Sequence, residues 1–181
     1  MRSLLAGGLT NTGLITGAGS NAYGVNLAGN LAGGLNNAGG TISGALIGIN
    51  QVGGTLTGGL SNTGVITGIT GAGMFLGAAN LQGGLSNLGG SITGGNTGVL
   101  VSASSIAGAF SNTGFIQGLS LAGLALAAGS TLSGVLNNAT SGTITGHNGL
   151  RVVSSSLASG LTNAGLISGT VNHGIAISNG S

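Results

Sequence analysis

The stretch Gly8-Leu9-Thr10-Asn11-Thr12-Gly13-Leu14-Ile15-Thr16-Gly17 returns as Gly59-Leu60-Ser61-Asn62-Thr63-Gly64-Val65-Ile66-Thr67-Gly68, and again from Phe110 and from Leu161. Looser copies begin at Leu35, Leu85 and Leu136. The seven starts, Leu9, Leu35, Leu60, Leu85, Phe110, Leu136 and Leu161, are spaced by 26, 25, 25, 25, 26 and 25 residues. A repeat of this period is the signature of a solenoid, in which each unit buries its apolar face only against its neighbours. The whole of 1–181 therefore reads as one repeat domain.

Each unit has four apolar places. The first is the starting Leu or Phe. The second is an Ile in every unit: Ile15, Ile42, Ile66, Ile92, Ile116, Ile144 and Ile167. The third is an apolar pair after a Gly, as in Gly24-Val25-Asn26-Leu27 and Gly98-Val99-Leu100-Val101; the second unit, with Ile47-Gly48-Ile49, reads as irregular there. The fourth is Leu31, Leu56, Leu81, Ile106, Leu132 and Leu157. These runs are short, alternate with polar residues and are cut by glycine, which is a strand pattern and excludes a 3.6-residue helical period. The expectation is an all-β, parallel β-solenoid of about seven triangular coils of ~25 residues, with three short strands per coil, forming a rod of roughly 34 Å at ~4.8 Å per coil.

An Asn stands two residues after each start: Asn11, Asn37, Asn62, Asn87, Asn112, Asn138 and Asn163. A column of such amides is expected at a corner, in the left-handed conformation, each hydrogen-bonded to its equivalent in the next coil. The units also alternate in kind. Odd units run Asn-x-Gly-apolar-Ile, whereas even units gain a residue or two and place a hydroxyl before the Ile, as in Thr41-Ile42-Ser43. This register puts Leu14, Val65 and Phe115 outward in alternate coils, a stripe suited to lateral association.

Composition restricts function. The 181 residues include 43 Gly, no Pro, no Cys, two basic residues and no Asp or Glu. Arg2 and Arg151 cannot make the basic footprint of a nucleic-acid binder, and aromatics are too few for base stacking. No segment reaches the ~18 apolar residues of a membrane helix, and Met1-Arg2-Ser3-Leu4-Leu5 is not read as a signal peptide. Without carboxylates, paired-acid hydrolysis, carboxylate-bound metals and a Ser-His-Asp triad cannot be assembled. No catalytic, cofactor-binding or metal-binding residue is therefore assigned, and no enzyme activity is expected. His147 and His173 are read as exposed corner residues lying one coil apart, the nearest approach to a metal-binding pair in the sequence; Tyr23 and Arg151 as surface decoration; and Phe75, Phe110 and Phe115 as packing. Gly17-Ala18-Gly19-Ser20-Asn21-Ala22 imitates a dinucleotide fingerprint but lacks the helix and the acidic residue that give that motif its chemistry. Asn138-Ala139-Thr140 and Asn179-Gly180-Ser181 are glycosylation sequons by rule only, Asn138 being claimed by the amide column.

Asn-Thr-Gly-x-Ile-Thr-Gly, followed by Gly-Ile-x-Ile and Thr-Leu-Thr-Gly-Gly, resembles the passenger repeats of bacterial autotransporters and related surface adhesins, from Gly7 to Ser178. The resemblance implies a right-handed β-helix displayed outside a bacterial cell for adhesion or matrix building. The chain departs from that family in carrying no barrel region, no export signal and no acidic residue, which suggests a fragment, an engineered chain or a free-standing relative. The function expected is non-enzymatic and structural: coils that stack head to tail into a fibre by self-association, or part of an adhesive scaffold facing a host surface or matrix ligand. The alternative is an ice- or lattice-binding face built from Thr-x-Thr rungs such as Thr55-Leu56-Thr57, Thr131-Leu132-Ser133, Thr143-Ile144-Thr145 and Ser91-Ile92-Thr93.

Overall fold

The computed structural model describes residues 4–178 and contains strands and turns but no helix over that range. Arg2 and the Asn179 sequon lie outside the described residues. The chain winds through seven coils of parallel strands, and equivalent strands stack into four seven-stranded sheets. In the fourth coil the strands are Asn80–Leu81 (sheet A), Leu85–Asn87 (sheet B), Ser91–Gly94 (sheet C) and Thr97–Ser102 (sheet D). The seven starting residues all fall at the head of sheet B strands and pair with one another in register.

Each coil has four strands where the sequence reading expects three. All four apolar places form strands of their own, and the fourth place makes a strand only two residues long, too short for alternation to declare it. The unit that reads as irregular is in register. Gly48 lies in the column of Gly24 and Gly73, Ile49 in that of Val25 and Met74, and Gln51 occupies the place of Leu27 and Leu76.

The interior is a set of continuous columns. Ile42, Ile66, Ile92, Ile116 and Ile144 are fully buried, with Ile15 and Ile167 packed against them at the ends. Leu31, Leu56, Leu81, Ile106 and Leu132 line the column of sheet A, and Phe110 fills the sheet B column where other coils place Leu. Sheets C and D are held together by a lock between Ile and Gly. A Cβ added to Gly98 would lie 2.5 Å from the Gly123 carbonyl oxygen and 2.8 Å from Ile116 Cγ2. The same relation recurs at Gly24, Gly48, Gly73, Gly123 and Gly149, each against the Ile of the following coil. Glycine is required here by close approach of backbone to side chain, and the methyl of Ile fills the space that glycine leaves.

From the second coil onward, the turn from sheet D to sheet A contains a left-handed residue. Gly53 supplies it once, but Ala78, Ala103, Ala128 and Ser154 take φ of +48°, +50°, +56° and +46°. Such residues cost about 1–2 kcal/mol relative to glycine in that conformation. Two substitutions should therefore act in opposite directions. Gly98→Ala should lower stability by about 3 kcal/mol, the upper end of the usual overpacking range of about 1–3, because backbone cannot move aside. Ala103→Gly should raise it by about 0.5–1 kcal/mol. Urea denaturation of both variants against the parent checks the pair.

Candidate functional site: a polar ladder inside the rod

The amide column is the most ordered polar feature of the molecule. Asn11, Asn37, Asn62, Asn87, Asn112 and Asn138 each donate Nδ2–H to the Oδ1 of the Asn one coil further on, at 2.8 Å in all six cases, ending at Asn163. A second N–H serves backbone carbonyls: Asn87 Nδ2 reaches Gly90 O at 3.0 Å and Phe115 O at 3.3 Å. Asn37 through Asn138 are completely buried.

One expectation about this column is corrected. The Asn residues end the sheet B strands and are not left-handed; the positive φ falls on Gly8, Gly34, Gly59, Gly84 and Gly160, just before the strand. The amides stand where each sheet B strand runs into the corner before sheet C. They point inward because the Leu that precedes each by two residues is itself inward, and side chains two apart share a face. Burial and full hydrogen bonding make Asn138 a structural amide and not a glycosylation acceptor.

The alternation of coils has its origin here. In the first, third and fifth coils the tight Asn-x-Gly corner lets the amide oxygen accept the Gly N–H, at 3.2 Å for Asn11–Gly13, Asn62–Gly64 and Asn112–Gly114. Even coils carry the longer corner, and their Gly39 and Gly89 N–H groups instead donate to the Oγ1 of Thr63 and Thr113 in the next odd coil, at 3.0 and 2.9 Å.

A second polar ladder escaped the sequence reading. Ser104, Ser130 and Ser155 are buried at the corner after sheet D. Ala79 N donates to Ser104 Oγ, Ser104 N to Ser130 Oγ and Ser130 N to Ser155 Oγ, at 2.9, 3.3 and 3.2 Å. Their recurrence at the coil period was the available signal, obscured by the surrounding serines. Gln51 is the other surprise: fully buried in an apolar column, it donates Nε2–H to Gly29 O at 3.3 Å and to Gly53 O, while its Oε1 and the Oγ1 of Thr97 have no partner.

The remaining candidates do not converge. His147 and His173 are one residue out of step, since His173 N meets Asn148 Oδ1 and it is Asn172 N that meets the His147 carbonyl. No group of three or more metal-ligating side chains occurs among the described residues. Gly17–Ala22 is mostly turn between sheets C and D with no helix. Tyr23 and Arg151 are half-buried on sheet D; Phe75 lies on its outer side between Asn50 and Leu100. The Thr-x-Thr rungs divide between two sheets: Thr55-Leu56 and Thr131-Leu132 belong to sheet A, Ser91-Ile92-Thr93 and Thr143-Ile144-Thr145 to sheet C. Comparison with protein-family models, curated proteins and solved structures found no match.

The ladder can be tested by its need for a donor at every rung. A carboxylate offers only acceptors. Asn87→Asp should therefore destabilise at neutral pH, where the buried charge faces the Asn112 oxygen and the Gly90 carbonyl. These acceptors and burial raise the folded-state pKa of the new carboxyl above its unfolded value near 4, so the folded state binds more protons and stability falls as pH rises through that interval. Acid should restore most of the loss relative to the parent, because the protonated form regains a donor. Chemical denaturation at a series of pH values checks the sign.

Proposed function

We propose that this chain is a non-enzymatic structural protein, a rod segment whose coils continue end to end into further coils, and that in the purified protein those coils come from a second copy. The observation that carries the reading is the polarity of the Asn ladder. Every Asn-to-Asn bond runs from donor to acceptor toward the C-terminal end, so the first coil offers an amide oxygen on Asn11 and the last an amide donor on Asn163. Those two ends complement each other head to tail and in no other orientation.

Three further features support the reading. The sheet edges are parallel, and an open parallel edge templates a strand of the same direction. Around the end of the last coil an apolar recess is lined by Leu150, Val152, Leu157, Leu161, Ile175 and Ile177. The absence of acidic residues removes the cost of stacking like charges, about 1 kcal/mol per pair at 4.8 Å even in water. Copy-on-copy stacking brings the seventh coil onto the first, two coils of the odd kind, and this joint is the one rung where alternation lapses. The likeness of the repeats to autotransporter passengers adds a setting: a bacterial cell surface or extracellular matrix, with the rod as scaffold or adhesive surface.

Electron microscopy of the purified chain across a concentration series tests this. The expected result is unbranched rods whose length grows with concentration, with shortening on Ile177→Lys, which places a charge in the recess at the joint. Discrete rods of about 34 Å at every concentration would overturn self-stacking.

A further inference from the structure

The four sheets differ in what they turn outward. The outer column of sheet B is Thr10, Asn36, Ser61, Ser86, Ser111, Asn137 and Thr162, and sheet A shows Asn, Thr and Ser in the same way. Sheet C is unlike them. Its first outer column reads Leu14, Thr41, Val65, Ser91, Phe115, Thr143, Leu166. The large residues are all in odd coils and all exposed: Leu14 by 70%, Val65 by 41%, Phe115 by 36% and Leu166 by 54%. Immediately after the same strands, Ile69 and Leu119 are 62% and 57% exposed, where the even coils on either side place Ala45, Gly95 and His147. The column between is Thr16, Ser43, Thr67, Thr93, Gln117, Thr145 and Ser168, polar and uncharged.

This face is a relief of period two: an apolar knob on each odd rung, a small hydroxyl recess on each even one. Such a relief fits its own copy when displaced by one rung. A two-fold axis parallel to the strands, placed between the third and fourth coils, reverses the rod direction and keeps each column opposite itself. It sets Leu14 opposite Thr143, Val65 opposite Ser91 and Phe115 opposite Thr41. We infer that sheet C is a lateral pairing face, occupied by sheet C of a second copy in antiparallel orientation with knobs seated in recesses.

Charge and area bear on the choice of occupant. The two outer columns carry no charged side chain, so the face meets its copy without repulsion, and a bundle of such faces is the dry packing found between stacked sheets. Six overlapping rungs at about 4.8 Å and four residues of width at about 3.3 Å give a footprint of about 380 Å² per copy. A stable pair needs roughly 800 Å² per partner. Seven coils therefore pair weakly, and the contact strengthens in proportion to the number of coils in a row. The inference does not require end-to-end growth, and it differs from it in observable: pairing thickens the rod, stacking lengthens it.

Small-angle X-ray scattering of the full chain over a concentration series separates the two through the cross-sectional radius and the length. The cross-section should rise at high concentration. Val65→Thr with Phe115→Thr, which places on odd rungs the residue that even rungs already carry, should weaken pairing at least tenfold. Ser91→Leu is the decisive variant. Seated knobs predict that filling the recess also weakens pairing, whereas general apolar stickiness predicts strengthening. Circular dichroism confirms that each variant keeps its strands. A constant cross-section, or stronger pairing in Ser91→Leu, would overturn the proposal. Thermal hysteresis that is lost with Thr93→Leu, in the absence of pairing, would instead assign the face to ordered water.

Discussion

Successive turns of the chain must lie about 4.8 Å apart for parallel strands to hydrogen-bond, and this spacing governs most other choices in the sequence. A residue in one coil meets its own equivalent at that distance, above and below, through the length of the rod. Side chains that attract their own kind at 4.8 Å are selected and those that repel are not. Isoleucine stacks on isoleucine in sheet C with no gap. An asparagine amide spans the interval with one 2.8 Å hydrogen bond per rung, because it carries a donor and an acceptor at opposite ends. A carboxylate or an ammonium has no such self-complement, and the sequence contains no acidic residue and two basic ones. Where a side chain from the neighbouring coil already occupies the interval, as Ile116 Cγ2 does beside Gly98, the residue is glycine.

Much of the architecture was legible because self-pairing at fixed spacing writes itself into the sequence as a period. The seven starts, the Ile column and the Asn column lie in the sequence where the structure pairs them. What was hidden has physical reasons. The two-residue strands of sheet A are too short to alternate, so they read as isolated apolar residues and the sequence alone counts three strands per coil. Gln51 fills an apolar column by hydrogen-bonding through its own corner to Gly29 and Gly53, a local compensation that no hydropathy pattern records. General preference assigns the left-handed conformation to Asn, whereas the chain places it on the glycine one residue before the strand and, after sheet D, mostly on alanine. The serine ladder uses a residue type so common on the surface that its burial is visible only in three dimensions.

Core and surface obey different rules in this molecule. Inside, almost every coil repeats its neighbours. Outside, sheets A and B show a polar column without relief, while sheet C alternates with the length of the corner that precedes it. That corner length goes with a bond inside the rod: in the first, third and fifth coils the amide oxygen takes the Gly N–H, the corner is short and an apolar residue follows; in the second and fourth the corner is longer and a hydroxyl follows. The two-coil period of the outer face is thus the external expression of an internal hydrogen-bond choice. It links the ladder that holds coils together along the axis to the face available for contact across it.

A continuous, buried amide ladder holds the coils in register. Side-chain hydrogen exchange of the Asn residues, followed by NMR on uniformly labelled protein, tests it directly. The ladder predicts that the Nδ2 protons of Asn37, Asn62, Asn87, Asn112 and Asn138 exchange as slowly as the core backbone amides, with Asn163 fast in the unstacked chain. Exchange of all seven at the rate of a free asparagine would contradict it.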